Sequence, residues 1–226
     1  MNSLIIAAHP DDEVLGCGGT IARLTNEMQN VYVAVLGEGI TSRYGQRDEA
    51  DGRALETLRA SSRRASELLG VKELFLFDLP DNRFDTVPLL DIVKMIESLI
   101  DKVKPFTVFT HHGGDLNIDH SIIHRATLTA TRPMAGQTVK QLYAYEVPSS
   151  TEWAFGQLDT GFQPQVFIDI GVTLEKKIEA MEIYESETRR FPHPRSPEAL
   201  MAVAKRWGAA SGVEAAEAFE LIREMK

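Results

Sequence analysis

Short apolar runs alternate with longer segments of helical periodicity along most of the chain. The runs are continuously apolar, as in strands that are buried on both faces of a parallel sheet. They predict strands at residues 3–8, 31–36, 73–79, 106–110, 141–146 and 165–170. Apolar residues at helical spacing predict helices at 14–28, 52–69, 88–102, 119–131, 172–187, 197–208 and 213–224. This alternation predicts an α/β chain with a three-layer, Rossmann-like fold and a mainly parallel sheet.

The composition is that of a globular domain of ordinary size. The chain has 226 residues, 43% of them hydrophobic, so one domain over residues 1–226 is expected. A formal net charge of −9 argues against a nucleic-acid partner, which needs a basic surface. No segment approaches the ~20 apolar residues of a membrane span, so membrane insertion is not expected. The N-terminus lacks secretory features and the one cysteine, Cys17, cannot form an intrachain disulfide; a cytoplasmic protein is predicted.

Polar motifs follow the ends of the first four predicted strands. In chain order they are HPDDE, GEGITSR, PDNRFD and HHGGDLNIDH. Because ligand sites of open parallel sheets form at the carboxyl ends of the strands, these motifs are expected to meet at one edge.

The first motif has the residue types of a metal site. His9 and Asp12 are three residues apart across the predicted turn from strand to helix, and Asp11 lies between them. A catalytic zinc ion commonly has two histidines, one carboxylate and an open position for water. A carboxylate beside that water, such as Asp11, can act as general base. The third ligand is expected from a set in the fourth motif and the helix after it: Asp115, Asp119, His120 and His124.

The segment AHPDDEVLGCGGT, paired with GDLNIDH more than a hundred residues later, resembles the LmbE-like or PIG-L family of zinc-dependent N-deacetylases. The similarity extends to LPDNRFD, YEVPSSTEW and PHPRS. It implies that His9, Asp12 and His120 bind zinc, or another divalent metal, and that Asp11 is the general base. It further implies a small-molecule substrate, an N-acetylated amino sugar or its conjugate, and a homo-oligomer, a trimer or hexamer.

The chain departs from the family pattern at Asn117, where many members carry a histidine that stabilises the oxyanion. An amide can donate a hydrogen bond but cannot supply a proton, so the general acid is left open between His193, His111 and a second use of Asp11. Asp119 is expected to support catalysis by orienting a ligand or Asp11.

Five further residues are expected to bind substrate. Asp81, Asn82 and Arg83 follow the third strand, although Pro-Asp-Asn is also ordinary turn chemistry. Arg43 and Arg195 lie in segments that could close over the site.

The leading hypothesis is a zinc hydrolase that removes an acetyl group from an N-acetylglucosamine-type sugar or its conjugate. One alternative is a zinc amidase acting on a larger acyl or thiol conjugate. The other is a non-catalytic α/β module that binds a sugar or nucleotide. A structural zinc is usually closed by four protein ligands, often cysteines, so three ligands and one cysteine favour an open, catalytic site.

Overall fold

A computed structural model describes residues 1–158 and 160–226. Its strands are β1 (Asn2–Ala7), β2 (Asn30–Gly37), β3 (Glu73–Leu79), β4 (Thr107–His111), β5 (Gln141–Tyr145), β6 (Val166–Asp169) and β7 (Ala216–Glu224). Its helices are α1 (Asp12–Asn26), α2 (Gly52–Leu69), α3 (Leu89–Val103), α4 (Ile118–Ala130), α5 (Leu174–Glu182) and α6 (Pro197–Ser211). Within these residues the strands form one seven-stranded sheet in the order β3-β2-β1-β4-β5-β7-β6.

The first five strands run parallel, and β7 pairs antiparallel with both β5 and β6. The predicted α/β fold with a mainly parallel sheet is therefore confirmed. The apolar run of β1 supplies both faces of the sheet: Ile5 packs in one hydrophobic core and Leu4 in the other. This is why the run is continuously apolar rather than alternating.

The helix predicted at 213–224 is wrong, because Ala216–Glu224 forms β7. Alanine, glutamate and leucine favour a helix locally, but here the segment fills the gap between β5 and β6 and hydrogen-bonds to both. The helix predicted at 172–187 is shorter, Leu174–Glu182, and the chain beyond it turns towards the carboxyl ends of the strands.

Glycines let α1 pack close to its neighbours. A Cβ atom on Gly16 would overlap the ring of Tyr145, and one on Gly19 would lie 2.7 Å from Cδ1 of Ile170. The acidic motif lies at the end of β1 because only four residues separate this strand from α1. No helix among the described residues is long and apolar enough to cross a membrane.

Candidate metal centre and active-site cleft

A cleft of about 480 Å³ opens at the carboxyl ends of the parallel strands. Its polar lining comes from all four strand-end motifs and from the segments after β5 and α5. The lining includes His9, Asp11, Ser42, Arg43, Asp81, Asn82, Asn117, His120, Ser149, Ser150, Glu187 and Arg195. The expectation that the four motifs meet at one edge is confirmed.

Three side chains converge at the base of the cleft, where His9 and His120 line it and the carboxylate of Asp12 is buried next to both. Oδ2 of Asp12 lies 3.4 Å from Nδ1 of His9 and 3.3 Å from Nε2 of His120. Zinc bonds of about 2.0–2.2 Å in a tetrahedral arrangement separate ligand atoms by about 3.4 Å, so this spacing fits one ion. His9, Asp12 and His120 also form a group whose potential ligand atoms all lie within 4.8 Å of one another. His124 lies one turn further along α4, where Nδ1 is 2.8 Å from the carbonyl oxygen of His111.

Each histidine of this group faces Asp12 with one ring nitrogen and contacts a second carboxylate with the other. Oδ2 of Asp119 lies 2.9 Å from Nε2 of His9, and Oδ1 of Asp115 lies 3.1 Å from Nδ1 of His120. Carboxylates in this position orient a metal-binding imidazole and increase its basicity. The carboxylate of Asp119 also accepts the backbone N–H groups of Asn82 at 2.7 Å and Phe84 at 3.0 Å, so it anchors the loop after β3.

The group has an excess of buried negative charge. Burial alone would lower the pKa of His120, but Asp12 and Asp115 outweigh it and raise the pKa to about 9. Burial would also lower the pKa of His9, yet the hydrogen bonds of Asp119 and Asp12 raise it well above its ordinary value. Burial would raise the pKa of Asp115, but the charge of His120 and the hydrogen bonds of His120, Ser150 and Thr151 together lower it to about 2. The surroundings thus favour a positive charge between these side chains, which is the electrostatic requirement of a cation site.

Asp11 has an unusual backbone and faces the cleft beside this group. Its φ of 109° lies in the left-handed region, which is costly for a residue with a side chain. The carboxylate of Glu13 accepts its N–H at 3.1 Å and so holds the turn. Burial raises the pKa of Glu13 to about 7 and raises the pKa of Asp11 well above its ordinary value. Oδ2 of Asp11 is 2.7 Å from Nη1 of Arg195, and the positive charge of this arginine partly offsets the rise in the pKa of Asp11.

Two arginines are joined across the cleft by Glu187. Oε2 of this buried carboxylate lies 2.5 Å from Nη2 of Arg43 and 3.5 Å from Nη1 of Arg195. Nε of Arg195 also donates to the hydroxyl oxygen of Ser149 at 2.7 Å. Glu187 carries no local sequence signal, since it lies outside every motif and reaches the cleft only because α5 ends early.

Asn117 begins α4. Its Oδ1 accepts the N–H of Asp119 at 2.9 Å and caps the helix. Because the oxygen is engaged in the cap, the NH₂ group is the part of the amide that can serve as a donor in the cleft.

The two histidines considered as general acids stand outside the lining formed by the described residues. Nε2 of His111 accepts the N–H of Ala8 at 2.8 Å, its ring stacks on His120 at 4.0 Å, and burial lowers its pKa well below the ordinary value. Nδ1 of His193 accepts the N–H of Arg195 at 3.1 Å, and its ring meets Trp153 edge to face.

The residues expected to bind substrate divide into two groups. Asp81 and Asn82 line the cleft with Arg43 and Arg195, and Oδ2 of Asp81 accepts the hydroxyl of Ser42 at 2.6 Å. Arg83 is exposed and is absent from the described lining of the cleft. It is the N-cap residue of the 3-10 turn Phe84–Thr86.

The chain is similar to a known protein family, to bacterial deacetylases and to solved structures. The family described as PIG-L, GlcNAc-PI de-N-acetylase, matches residues 4–131. The uncharacterised deacetylase YaiS of Escherichia coli K12 is 30% identical over 169 residues, 73% of this chain and 79% of YaiS. The probable N-acetyl-α-D-glucosaminyl L-malate deacetylase 2 of Bacillus cereus is 26% identical over 190 residues, 82% of this chain and 83% of that protein. The structure of GalB, the 4-carboxy-2-hydroxymuconate hydratase of Pseudomonas putida, has a TM-score of 0.78 at 20% identity over 100% of this chain and 97% of GalB, which shows a shared fold alone.

Proposed function

The chain belongs to the PIG-L family of de-N-acetylases, and on that premise we propose that it removes the acetyl group from an N-acetylglucosamine-type sugar or its conjugate. It is a metal-dependent N-deacetylase, a hydrolase of amide bonds. The sugar is proposed because the matched family and the Bacillus cereus relative are both described by an N-acetylglucosamine-containing substrate. The observation that carries the proposal is the triangle of His9, Asp12 and His120 at the base of a cleft, with Asp11 beside it.

Zinc is the proposed metal, held by His9, Asp12 and His120. Two imidazoles and one carboxylate are a common donor set of catalytic zinc, and the spacing of 3.3 and 3.4 Å suits its short bonds. When bound there, zinc would lower the pKa of a water molecule to about 7 and polarise the acetamide carbonyl.

Asp11 is the proposed general base. Arg195 holds its Oδ2 at 2.7 Å, so Oδ1 is the oxygen that would accept a proton from the attacking water. The turn held by Glu13 directs this carboxylate into the cleft, next to Asp12. The NH₂ group of Asn117 would donate a hydrogen bond to the developing oxyanion, in place of the histidine that many family members carry.

Asp11 is also the proposed proton donor to the leaving amine. His111 uses Nε2 to accept a backbone N–H, and neither His111 nor His193 belongs to the described lining of the cleft. A carboxylate that has taken a proton from water and lies beside the breaking bond can return it to the amine. The hydroxyl groups of the sugar would form hydrogen bonds with Arg43, Asn82 and Arg195, which line the cleft.

The test is acetate release by the zinc-loaded protein. The substrates are N-acetylglucosamine, its phosphate, a nucleotide-linked form and a longer N-acyl analogue. Asp11→Asn is expected to lower kcat by about 10²- to 10⁴-fold while bound zinc, measured by elemental analysis, is unchanged. Asp91→Asn, an exposed change of the same type on α3, is the matched control. Near-normal acetate release by Asp11→Asn would refute the mechanism, and turnover of the longer acyl compound alone would refute the proposed substrate.

A further inference from the structure

A large aromatic side chain is exposed at the mouth of the cleft. Trp153 lies in the 3-10 turn Glu152–Ala154 after β5 and is 41% exposed. It lines the cleft beside Asn117 and Ser150. Tryptophan is usually buried over most of its surface, so an indole left open in a reactive cleft points to a ligand that covers it.

The loop that carries Trp153 is tied to the candidate metal centre through one carboxylate. Asp115 accepts the hydroxyl groups of Ser150 and Thr151, the latter at 2.6 Å. The same carboxylate lies 3.1 Å from Nδ1 of His120. The loop that carries the indole is therefore anchored beside the candidate metal centre by hydrogen bonds of Ser150 and Thr151.

His193 holds the indole from outside the cleft. The two ring centroids are 5.6 Å apart and the planes meet at 80°, an edge-to-face arrangement. Nδ1 of His193 accepts the N–H of Arg195 at 3.1 Å, and the prolines on both sides, Pro192 and Pro194, restrict its backbone. His193 thus contacts Trp153 while remaining outside the described lining of the cleft.

We infer that Trp153 is the surface on which the pyranose ring of the substrate stacks, and that His193 is a positioning residue for this indole. A pyranose presents a face of C–H groups to an aromatic ring and hydroxyl groups at its edge. The lining of the cleft contains both counterparts, the indole of Trp153 and the donors of Arg43 and Asn82. The inference rests on the proposed function, since it names how the sugar of that substrate is recognised.

Kinetics separate binding of the sugar from proton transfer. Trp153→Ala is expected to raise KM for N-acetylglucosamine by about tenfold or more, the loss typical of an aromatic stacking contact, with a small effect on kcat. Trp153→Phe keeps a ring and is expected to stay within about threefold of the wild type. Unchanged KM in Trp153→Ala, with the wild type active on the sugar, would overturn the inference while leaving the proposed function intact.

His193 is tested by substitutions that keep or remove its ring. His193→Ala should raise KM as Trp153→Ala does, and His193→Phe should restore it because a ring again meets the indole edge to face. Phenylalanine cannot transfer a proton, so a fall in kcat of about 100-fold or more in both variants would identify a general acid and overturn the positioning role.

Binding is measured independently of turnover by fluorescence. The chain has two tryptophans, and Trp207 is engaged elsewhere, where its Nε1 donates to Glu146. In Trp207→Phe, Trp153 is the single tryptophan, and titration with N-acetylglucosamine is expected to change its emission. Turnover without any change in emission would overturn the inference, as would a response to a phenyl glycoside but not to the free sugar. A wild type inactive on every acetylated sugar would refute the proposed function instead.

Discussion

Asp119 and His9 form a contact of 2.9 Å between Oδ2 and Nε2, which leaves Nδ1 of His9 directed at Asp12. The residues are 110 positions apart in the chain, and Asp119 is fully buried. The proposed metal ligand is therefore held by a carboxylate that belongs to a different strand-end motif.

Asp119→Ala is expected to weaken metal binding by about 10- to 100-fold, because His9 loses the carboxylate that orients its ring. Competition with a chelator measures the change. Asp119→Asn keeps one of the two oxygens that accept the backbone N–H groups of Asn82 and Phe84, so a smaller loss than in Asp119→Ala is expected. Equal metal affinity in all three proteins would contradict the orienting role.

Lys177→Met is expected to destabilise the fold by about 3–5 kcal/mol, because it leaves a buried carboxylate without its counter-charge. Nζ of Lys177 lies 2.6 Å from Oε1 of Glu217 and donates to the carbonyl oxygen of Leu15. Denaturant unfolding gives the change, with the exposed Lys205→Met as control. Adding Glu217→Gln to Lys177→Met should recover part of the loss, and a purely additive double variant would argue against the pair.

Gly16→Ala is expected to cost about 1–3 kcal/mol of stability by overpacking α1 against β5. The new methyl group would overlap the ring of Tyr145, whose hydroxyl donates to the carbonyl oxygen of Ile6 at 2.8 Å. Gly52→Ala is the control, because no atom lies within 4 Å of the added methyl group. Thermal unfolding of both variants checks the prediction, and equal Tm values would contradict it.

Stability is expected to fall as the pH rises above 6.5, through the pair formed by His112 and Glu220. Their Nδ1 and Oε2 atoms are 2.7 Å apart. Burial would lower the pKa of His112, but the hydrogen bond and charge of Glu220 outweigh it and raise the pKa above its ordinary value of 6.5. The folded state then binds the proton more tightly than the unfolded state, so this stabilisation is complete below pH 6.5 and is lost as the pH rises through the folded pKa.

Glu220→Gln should remove this part of the pH dependence, because the carboxamide carries no charge. Thermal unfolding of the two proteins across that pH range makes the comparison, with about 2–4 °C of Tm expected for each kcal/mol lost. Parallel curves for the wild type and Glu220→Gln would contradict the assignment.

The sequence predicted the order of most elements, because the apolar periodicity that distinguishes a strand from a helix is a property of residues that are close together in the chain. The run before His9 had to be a strand buried on both faces, and Gly70 marks the end of α2 with a φ of 80°. The same local reasoning failed for Ala216–Glu224, where helix-favouring residues form a strand because two neighbouring strands supply its hydrogen bonds.

The sequence by itself also predicted that His9, Asp11 and Asp12 lie together at the end of a strand, since residues this close in the chain stay close in any fold of this class. Only the tertiary structure decided that Asp115 and Asp119 lie behind the histidines, and that Glu187 joins Arg43 to Arg195. These contacts join residues far apart in the chain, and a local pattern carries no information about which distant side chain fills the space. Their geometry depends on how the sheet, α4 and the segment after α5 pack together.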